Sequence, residues 1–398
     1  PQMRDAYPTQ VLSTARDIMG LWVARMVMAS MYCCDETIPF DDVIIHPTVM
    51  AADGKPMSKS RGNGVDPLRL MEDYGADGMR MAMLISSSAG NDVMFDEALC
   101  EQGRNFGNKI WNAYRLINGW RVDAGRSQTE TERSAVEWFE QALGRSLRQI
   151  DEEFRSYRIS EAFKEAYRLF WDDFSGQYLE MVKPAYGEPA DAVTVAATRG
   201  FFDALMRLLH PFMPFITEEI WQALAPRAEG ESICVAPMPQ PAEEKPGVLA
   251  RFELAHEVIT TVRSIRNQKN LAQKEPLVLE VIRDENYPEE YAPLMRKMAN
   301  LSSIDFITEK DSAAAAFLVK TTQYFVPMAG KIDTEAEIKK LSDDLAYYEG
   351  FLASVMKKLS NERFVQSAPE KVVANERAKQ ADAEAKIAAL KEQIAALR

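Results

Sequence analysis

Ile338, Leu341, Leu345, Tyr348, Leu352, Val355 and Leu359 stand alternately three and four residues apart. That spacing lays an apolar seam along one side of a helix and demands a second helix to cover it. The chain supplies one. After a break at Ser360-Asn361, the residues Val373, Ala383, Ile387, Leu390, Ile394 and Leu397 keep the same rhythm. Residues 331–398 are therefore predicted to form an antiparallel coiled-coil hairpin. This arm holds as many acidic as basic residues, so the net charge of −13 belongs to the rest of the chain. Such acidity argues against binding a nucleic acid by bulk electrostatics. If any part meets a polyanion, the neutral arm is a good candidate, although its cations serve equally well as i,i+4 partners of its own acids.

Ahead of the arm lie 330 or so residues, enough for several domains with cores of their own. The four cysteines, Cys33, Cys34, Cys100 and Cys234, include no Cys-x-x-Cys pair, so neither a zinc site nor a structural disulfide is expected, and a reducing cytoplasm fits best. No apolar run reaches eighteen residues, so no membrane crossing is expected. The chain opens at Pro1 without a signal peptide or initiator Met and is expected to be a fragment.

Residues 8–13 read as a strand, 17–32 as an apolar helix and 43–50 as a second strand, which is half of a Rossmann-type α/β unit. Helical periodicity then covers 97–122, 132–155, 159–183 and 190–225, an antiparallel bundle. The stretch 237–246, rich in Pro, Ala and Glu, reads as a linker. A helix at 249–268 and short elements at 277–282, 288–299, 302–308 and 317–326 make a small α+β module. The fold expected is mainly α, with a partial α/β segment at the N-terminus, a helical bundle, a small α+β module and the coiled-coil hairpin. Its divisions fall at 1–66, 67–125, 126–240, 241–330 and 331–398.

Between the second strand and the first helices runs Asp53-Gly54-Lys55-Pro56-Met57-Ser58-Lys59-Ser60-Arg61-Gly62-Asn63. It is too polar for a core and leaves the end of a strand, where ligands of open α/β sheets collect. Its cations, hydroxyls and backbone N–H groups can meet a polyphosphate whose charge moves during reaction. A solvated basic turn is the alternative. Pro56-Met57-Ser58-Lys59-Ser60 resembles the KMSKS loop of class I aminoacyl-tRNA synthetases. The likeness extends to Thr14-Ala15-Arg16-Asp17-Ile18 with Trp22-Val23-Ala24-Arg25-Met26, to Tyr74-Gly75-Ala76-Asp77, and to Arg104-Asn105-Phe106 with Asn108-Lys109-Ile110-Trp111-Asn112. It includes His210-Pro211-Phe212-Met213-Pro214-Phe215 with Thr217-Glu218-Glu219-Ile220-Trp221, and, in the arm, Lys358-Leu359-Ser360-Asn361, Phe364-Val365, Ala368-Pro369 and Val372-Val373. Together these resemble the C-terminal portion of the valyl-tRNA synthetases. Two positions depart from that pattern: Pro56 stands where the family has the first loop lysine, and Ala15 replaces a glycine. The His-x-Gly-His signature and the editing domain are not in this sequence.

The resemblance implies a ligase that activates valine with ATP and Mg2+ and transfers it to tRNA(Val), working as a cytoplasmic monomer. This fragment alone is expected to be inactive. Lys59 would be the catalytic residue, with Met57, Ser58, Lys59, Ser60 and Asp17 at the ATP. Ile18 and Trp22, four apart, would wall the valine pocket; core packing is the alternative for both, as an N-cap is for Asp17. Such a pocket rejects threonine poorly, a weakness for which valyl enzymes are the known example. The bundle would bind the anticodon, with Arg104, Lys109, Asn112 and Arg115 as tRNA contacts. Trp111 and His210 read as core, and no bound metal is expected. The alternatives are a stand-alone tRNA-binding or scaffold protein and a fragment of an isoleucyl-tRNA synthetase.

Overall fold

In the computed structural model the described residues are 6–34, 36–87, 92–309, 314–328 and 334–360, with Arg377, Gln380, Ala383, Glu384, Ile387 and Lys391. They fall into two units. One comprises residues 1–256 and 288–298, the other 257–287 and 299–398.

The first unit begins with a parallel strand pair. β1 (Thr9–Ala15) runs beside β2 (Phe40–His46) in register from Thr9 opposite Phe40 to Ala15 opposite His46. Parallel strands need a crossover, and here it is helical: a 3-10 turn over Arg16–Ile18, a π-helical turn over Met19–Val23, then α1 (Ala24–Cys33). The single strand expected over 43–50 is two strands. Pro47 lacks an N–H for the ladder, so β2 stops at His46 and β3 (Val49–Met50) starts afresh, pairing parallel with β4 (Val93–Met94). Between β3 and β4 lie the glycine loop, α2 (Pro67–Tyr74) and α3 (Ala76–Ser86). Asp66 caps α2 by accepting from Leu68 N at 3.0 Å, with Pro67 in the first turn, where its missing N–H costs nothing.

α4 (Ala98–Asn118) crosses α3 with glycine against glycine. A Cβ on Gly103 would lie 2.4 Å from the carbonyl oxygen of Gly78 and 2.8 Å from its Cα. These are backbone atoms that cannot swing aside. Gly103→Ala should therefore destabilise the chain by about 1–3 kcal/mol through forced separation of the two helices; an unchanged urea midpoint would contradict this close approach.

After the short strand β5 (Val122–Asp123) comes α5 (Glu130–Arg155), which starts from a complete capping box between Thr129 and Glu132. α6 (Ile159–Arg168) runs through a π-helical stretch, Leu169–Tyr178, into α7 (Leu179–Val182). β6 (Ala190–Asp191) pairs with β5 and leads into α8 (Ala192–Leu209) and α9 (Pro214–Leu224). The single helix expected over 190–225 is thus broken. Pro211 and Pro214 cannot continue it, and Pro214 opens the next helix. The bundle core is aromatic: Phe106, Phe139, Phe163, Phe170, Phe174, Phe202 and Phe212 are fully buried.

The Pro-rich stretch 237–246 is not the free linker expected. It has no regular structure, yet it is fastened along α5. Gln141 donates to Glu243 O at 3.0 Å and accepts from Lys245 N at 2.9 Å, and Lys245 Nζ lies 2.9 Å from the Glu137 carboxylate. Side-chain amides satisfy a backbone that proline keeps out of ladders.

α10 (Val248–Gln268) runs across the boundary between the units. The second unit holds β7 (Leu277–Ile282), β8 (Leu301–Phe306), β9 (Ala314–Val319) and β10 (Thr322–Pro327), in the sheet order β8-β7-β10-β9, while α11 (Ala292–Ala299), between β7 and β8 along the chain, belongs to the first unit but for its last residue. The expected strand over 317–326 is a hairpin, because Lys320 takes φ +50° and turns the chain. Arg266, 1% exposed, donates to the carbonyls of Ala272, Glu275 and Ala299, which fixes the loop around the head of the sheet. α12 (Thr334–Leu359) contains the first half of the seam: Val355 is buried and Leu345, Tyr348, Leu352 and Leu359 are half-buried. The side chains of Ile338 and Leu341 lie outside the described residues, as do Asn361, Phe364, Val365, Ala368, Pro369, Val372, Val373, Leu390, Ile394 and Leu397. No helix among the described residues is long and apolar enough to cross a membrane.

Candidate functional site at the carboxyl edge of the strands

β1 and β2 run in parallel and end together, at Ala15 and His46. The segment carrying Asp17, Ile18 and Trp22 and the segment leading to the glycine loop therefore leave the same edge. Asp92 ties the two departures: its carboxylate accepts from Arg16 Nη2 at 2.9 Å and from Thr48 N at 3.3 Å.

The loop is folded on itself. Pro56 bridges back to Met50, Ala51 N donates to Lys55 O at 2.9 Å, and Gly54, at φ +74°, makes the turn between them. Asn63 closes the far side, accepting from Ser58 N at 3.0 Å and donating to Pro56 O at 3.2 Å. Lys59 begins a 3-10 turn, Lys59–Arg61. Ser58 Oγ and Ser60 Oγ lie 3.2 Å apart and Met57 is half-buried. Lys55 Nζ sits 3.3 Å from Asp53, an exposed pair that is easily broken. Behind the loop a cleft of about 700 Å³ is lined by Asp53, Asp66, Asp96 and Glu97, with Arg69 already paired to Glu97. Its acidity repels phosphate.

Asp17 is exposed and caps no helix: the 3-10 turn that contains it has no side-chain cap. Ile18 and Trp22 are 40% and 56% exposed, so neither is core here. They share no regular helix, since Ile18 ends a 3-10 turn and Trp22 lies in the π-helical turn. With Leu21, Met28 and Tyr32 they make an apolar surface along this segment.

On α4, Gly103, Phe106, Ile110, Ala113 and Ile117 are buried. The helical period puts Arg104, Asn108, Trp111, Asn112 and Arg115 on the opposite, exposed face. Trp111 is 39% exposed and leans on Tyr114, so it is not the core residue expected. Arg104 stacks over Tyr74 at 5.4 Å. Lys109 does not share this face; its ammonium lies 4.1 Å above the Trp171 ring, a cation–π contact.

His210 is half-buried rather than core, with Nδ1 2.8 Å from Thr217 Oγ1 and Nε2 3.2 Å from Cys234 Sγ. Burial pushes its pKa down, against the pull of Glu218 and Asp77.

Three family profiles match the chain. "tRNA synthetases class I (I, L, M and V)" covers residues 1–96, "Anticodon-binding domain of tRNA ligase" covers 136–282, and "Valyl tRNA synthetase tRNA binding arm" covers 333–398. The valine–tRNA ligase of Parabacteroides distasonis is 53% identical over 98% of this chain and 44% of its own length. Those of Phocaeicola vulgatus and Listeria monocytogenes are 52% and 37% identical over 98% and 100% of this chain. The chain belongs to the valine–tRNA ligase family. It spans somewhat under half the length of these relatives, at 44% and 46% for the first and last named.

The corner between α8 and α9 carries a clamp that sequence reading missed. Arg80 donates to the carbonyls of Phe212 and Pro211, both at 3.1 Å, and Asp77 accepts from Phe215 N and Ile216 N at 3.3 and 2.7 Å. A cation meets the end of α8 and a carboxylate meets the start of α9, each matched to the helix dipole and to the unpaired groups there. Asp77 and Arg80 are three apart on α3, which could have signalled a shared face but not the corner that it grips. Asp92 was likewise missed, because Arg16 and Thr48 are 76 and 44 residues away, and Asn63 was missed because its partners, though in the same loop, are backbone atoms that no side-chain pattern marks.

Proposed function

We propose that this chain serves as the C-terminal portion of a valine–tRNA ligase, the enzyme in which valine attacks the α-phosphate of ATP and the valyl group then passes to tRNA(Val). The observation that carries this reading is the placement of the Lys59 loop and Asp17 at one carboxyl edge, in a chain about half identical to such ligases over nearly its whole length. Negative charge grows on the leaving pyrophosphate, and an ammonium that meets it best in the transition state lowers the barrier. Lys59 has that role, with Ser58 and Ser60 shaping its loop and Asp17 facing the ribose or the substrate amine. Mg2+ arrives with ATP and neutralises its phosphates. Ile18 and Trp22 wall the valine side chain, and their exposure fits a pocket that further protein completes. Arg104, Asn112 and Arg115 meet tRNA phosphates; Lys109 supports Trp171 instead.

The arm is an antiparallel coiled-coil hairpin. Lys391 Nζ reaches Glu349 at 2.8 Å, and Ala383 and Ile387 are buried as Val355 is, which supports a return helix laid along α12. Deleting 331–398 from the full-length enzyme should weaken tRNA(Val) binding and leave valine-dependent ATP–pyrophosphate exchange largely intact. Filter binding and exchange assays on the same preparation check this, and equal tRNA affinity with and without the arm would contradict it. The isolated chain should show no exchange; measurable exchange would sink the division of the site between this portion and another.

A further inference from the structure

Among the described residues, His210, Glu218 and Cys234 form a group whose ligand atoms all lie within 4.8 Å of one another. They come from three places: the end of α8, the first turns of α9, and the 3-10 turn Ile233–Val235 that opens the fastened stretch. The histidine is oriented. Thr217 gives its hydroxyl proton to Met213 O at 2.7 Å, so its oxygen accepts from His210 Nδ1 at 2.8 Å. Nε2 is left as a lone pair, and it points at Cys234 Sγ 3.2 Å away. A histidine whose other nitrogen donates to a fixed neighbour is the arrangement that metal sites use. The remaining two groups are also held. Ser232 Oγ donates to Glu218 at 2.6 Å and accepts from Cys234 N at 3.2 Å, and Gln222 donates to Glu218 at 2.8 Å.

We propose that His210 Nε2, Cys234 Sγ and a Glu218 carboxylate oxygen bind one Zn2+. Tetrahedral zinc with its usual bond lengths places neighbouring ligand atoms about 3.4–3.6 Å apart. The nitrogen–sulfur pair is already near that, and the Glu218 carboxylate, within 4.8 Å of both, gives up a hydrogen bond from Ser232 or Gln222 to close the remaining distance. Sulfur, imidazole and carboxylate in one set favour zinc over magnesium or calcium. Cys234 is exposed, so water completes the fourth position. On binding, the Cys234 thiol loses its proton to solvent and the thiolate becomes the ligand. The ion would staple the 3-10 turn at 233–235 to the α8–α9 corner, which Asp77 and Arg80 hold through backbone groups. This role is separate from aminoacylation.

The test is Zn2+ titration of the whole chain, read by calorimetry, with Co2+ as a spectroscopic probe. The wild type should take up one Zn2+ and gain thermal stability, and its Co2+ form should show a sulfur-to-metal charge-transfer band. Cys234→Ser, at an exposed position, should melt like the metal-free wild type, bind Zn2+ at least about tenfold more weakly and lose the band. Glu218→Gln should weaken binding and keep the band. Zinc affinity unaffected by Cys234→Ser, or no zinc uptake by the wild type at micromolar metal, would overturn the proposal.

Discussion

Lys59→Ala, made in a full-length valine–tRNA ligase containing this chain, should slow valyl-adenylate formation by two to three orders of magnitude, which corresponds to about 3–4 kcal/mol of lost transition-state stabilisation. Valine affinity should change little, because the ammonium acts on charge that appears only as pyrophosphate departs. The loop offers no ready substitute. Pro56 occupies the place of another lysine, and the Lys55 ammonium is turned to Asp53. The loop should keep its fold in the variant, since Asn63, Gly54 and the Met50–Pro56 bridge hold it through groups other than the Lys59 side chain. Single-turnover adenylation and the valine KM in pyrophosphate exchange separate the two effects. An unchanged rate would remove Lys59 from the chemistry.

The second large effect concerns the bundle. Arg168 forks onto Glu165 at 2.6 and 2.8 Å and reaches Asp173 at 2.8 Å, while Ser146 donates to Glu165 at 2.6 Å. Glu165, Asp173 and Ser146 are buried. Arg168→Met should destabilise the protein by about 3 kcal/mol, the lower end for a broken buried pair, because the arginine keeps about a third of its exposure. It leaves two carboxylates buried with one weaker cation, Arg145, 3.6 Å from Asp173. The pH dependence has a definite sign. Burial raises the Glu165 pKa, but the hydrogen bonds from Arg168 and Ser146 outweigh it and bring it below the ordinary value. Its contribution is thus complete above the ordinary glutamate pKa and lost as pH falls through the lowered one. Burial holds the Asp173 carboxyl above its ordinary value, so it opposes folding as pH rises through that range. In the variant both carboxyls can take up protons at little cost, so the stability gap from wild type should narrow with acidification. Urea midpoints at neutral and mildly acidic pH check this; a constant gap would mean that packing, not charge, is lost.

That network shows where sequence reading stops. Helical periodicity located α5, and the starts of α6 and α8, within a few residues, because burial of one face is written in the order of apolar residues. Arg168 and Asp173, however, are five apart, a spacing that places them on different faces of an α-helix. They meet because the stretch from Leu169 to Tyr178 is π-helical, with bonds five residues apart. The same irregularity at Met19–Val23 undercuts any argument from the four-residue spacing of Ile18 and Trp22. Pro47, Pro211 and Pro214 carry the strand and helix breaks through their missing N–H, although the apolar runs continue across them.

The sequence by itself determined the family, the glycine loop after a strand, the bundle and the apolar seam at 338–359, because these are periodic or contiguous and depend on neighbours along the chain. Tertiary structure alone decided what holds them: Asp77 and Arg80 at both ends of the α8–α9 corner, Asp92 between two strand ends, Asn63 across the loop, and His210 turned towards Cys234. Each is a polar group whose partner is an unpaired backbone atom or a side chain distant in sequence. Which such group is satisfied by which cannot be known until packing has removed water from both.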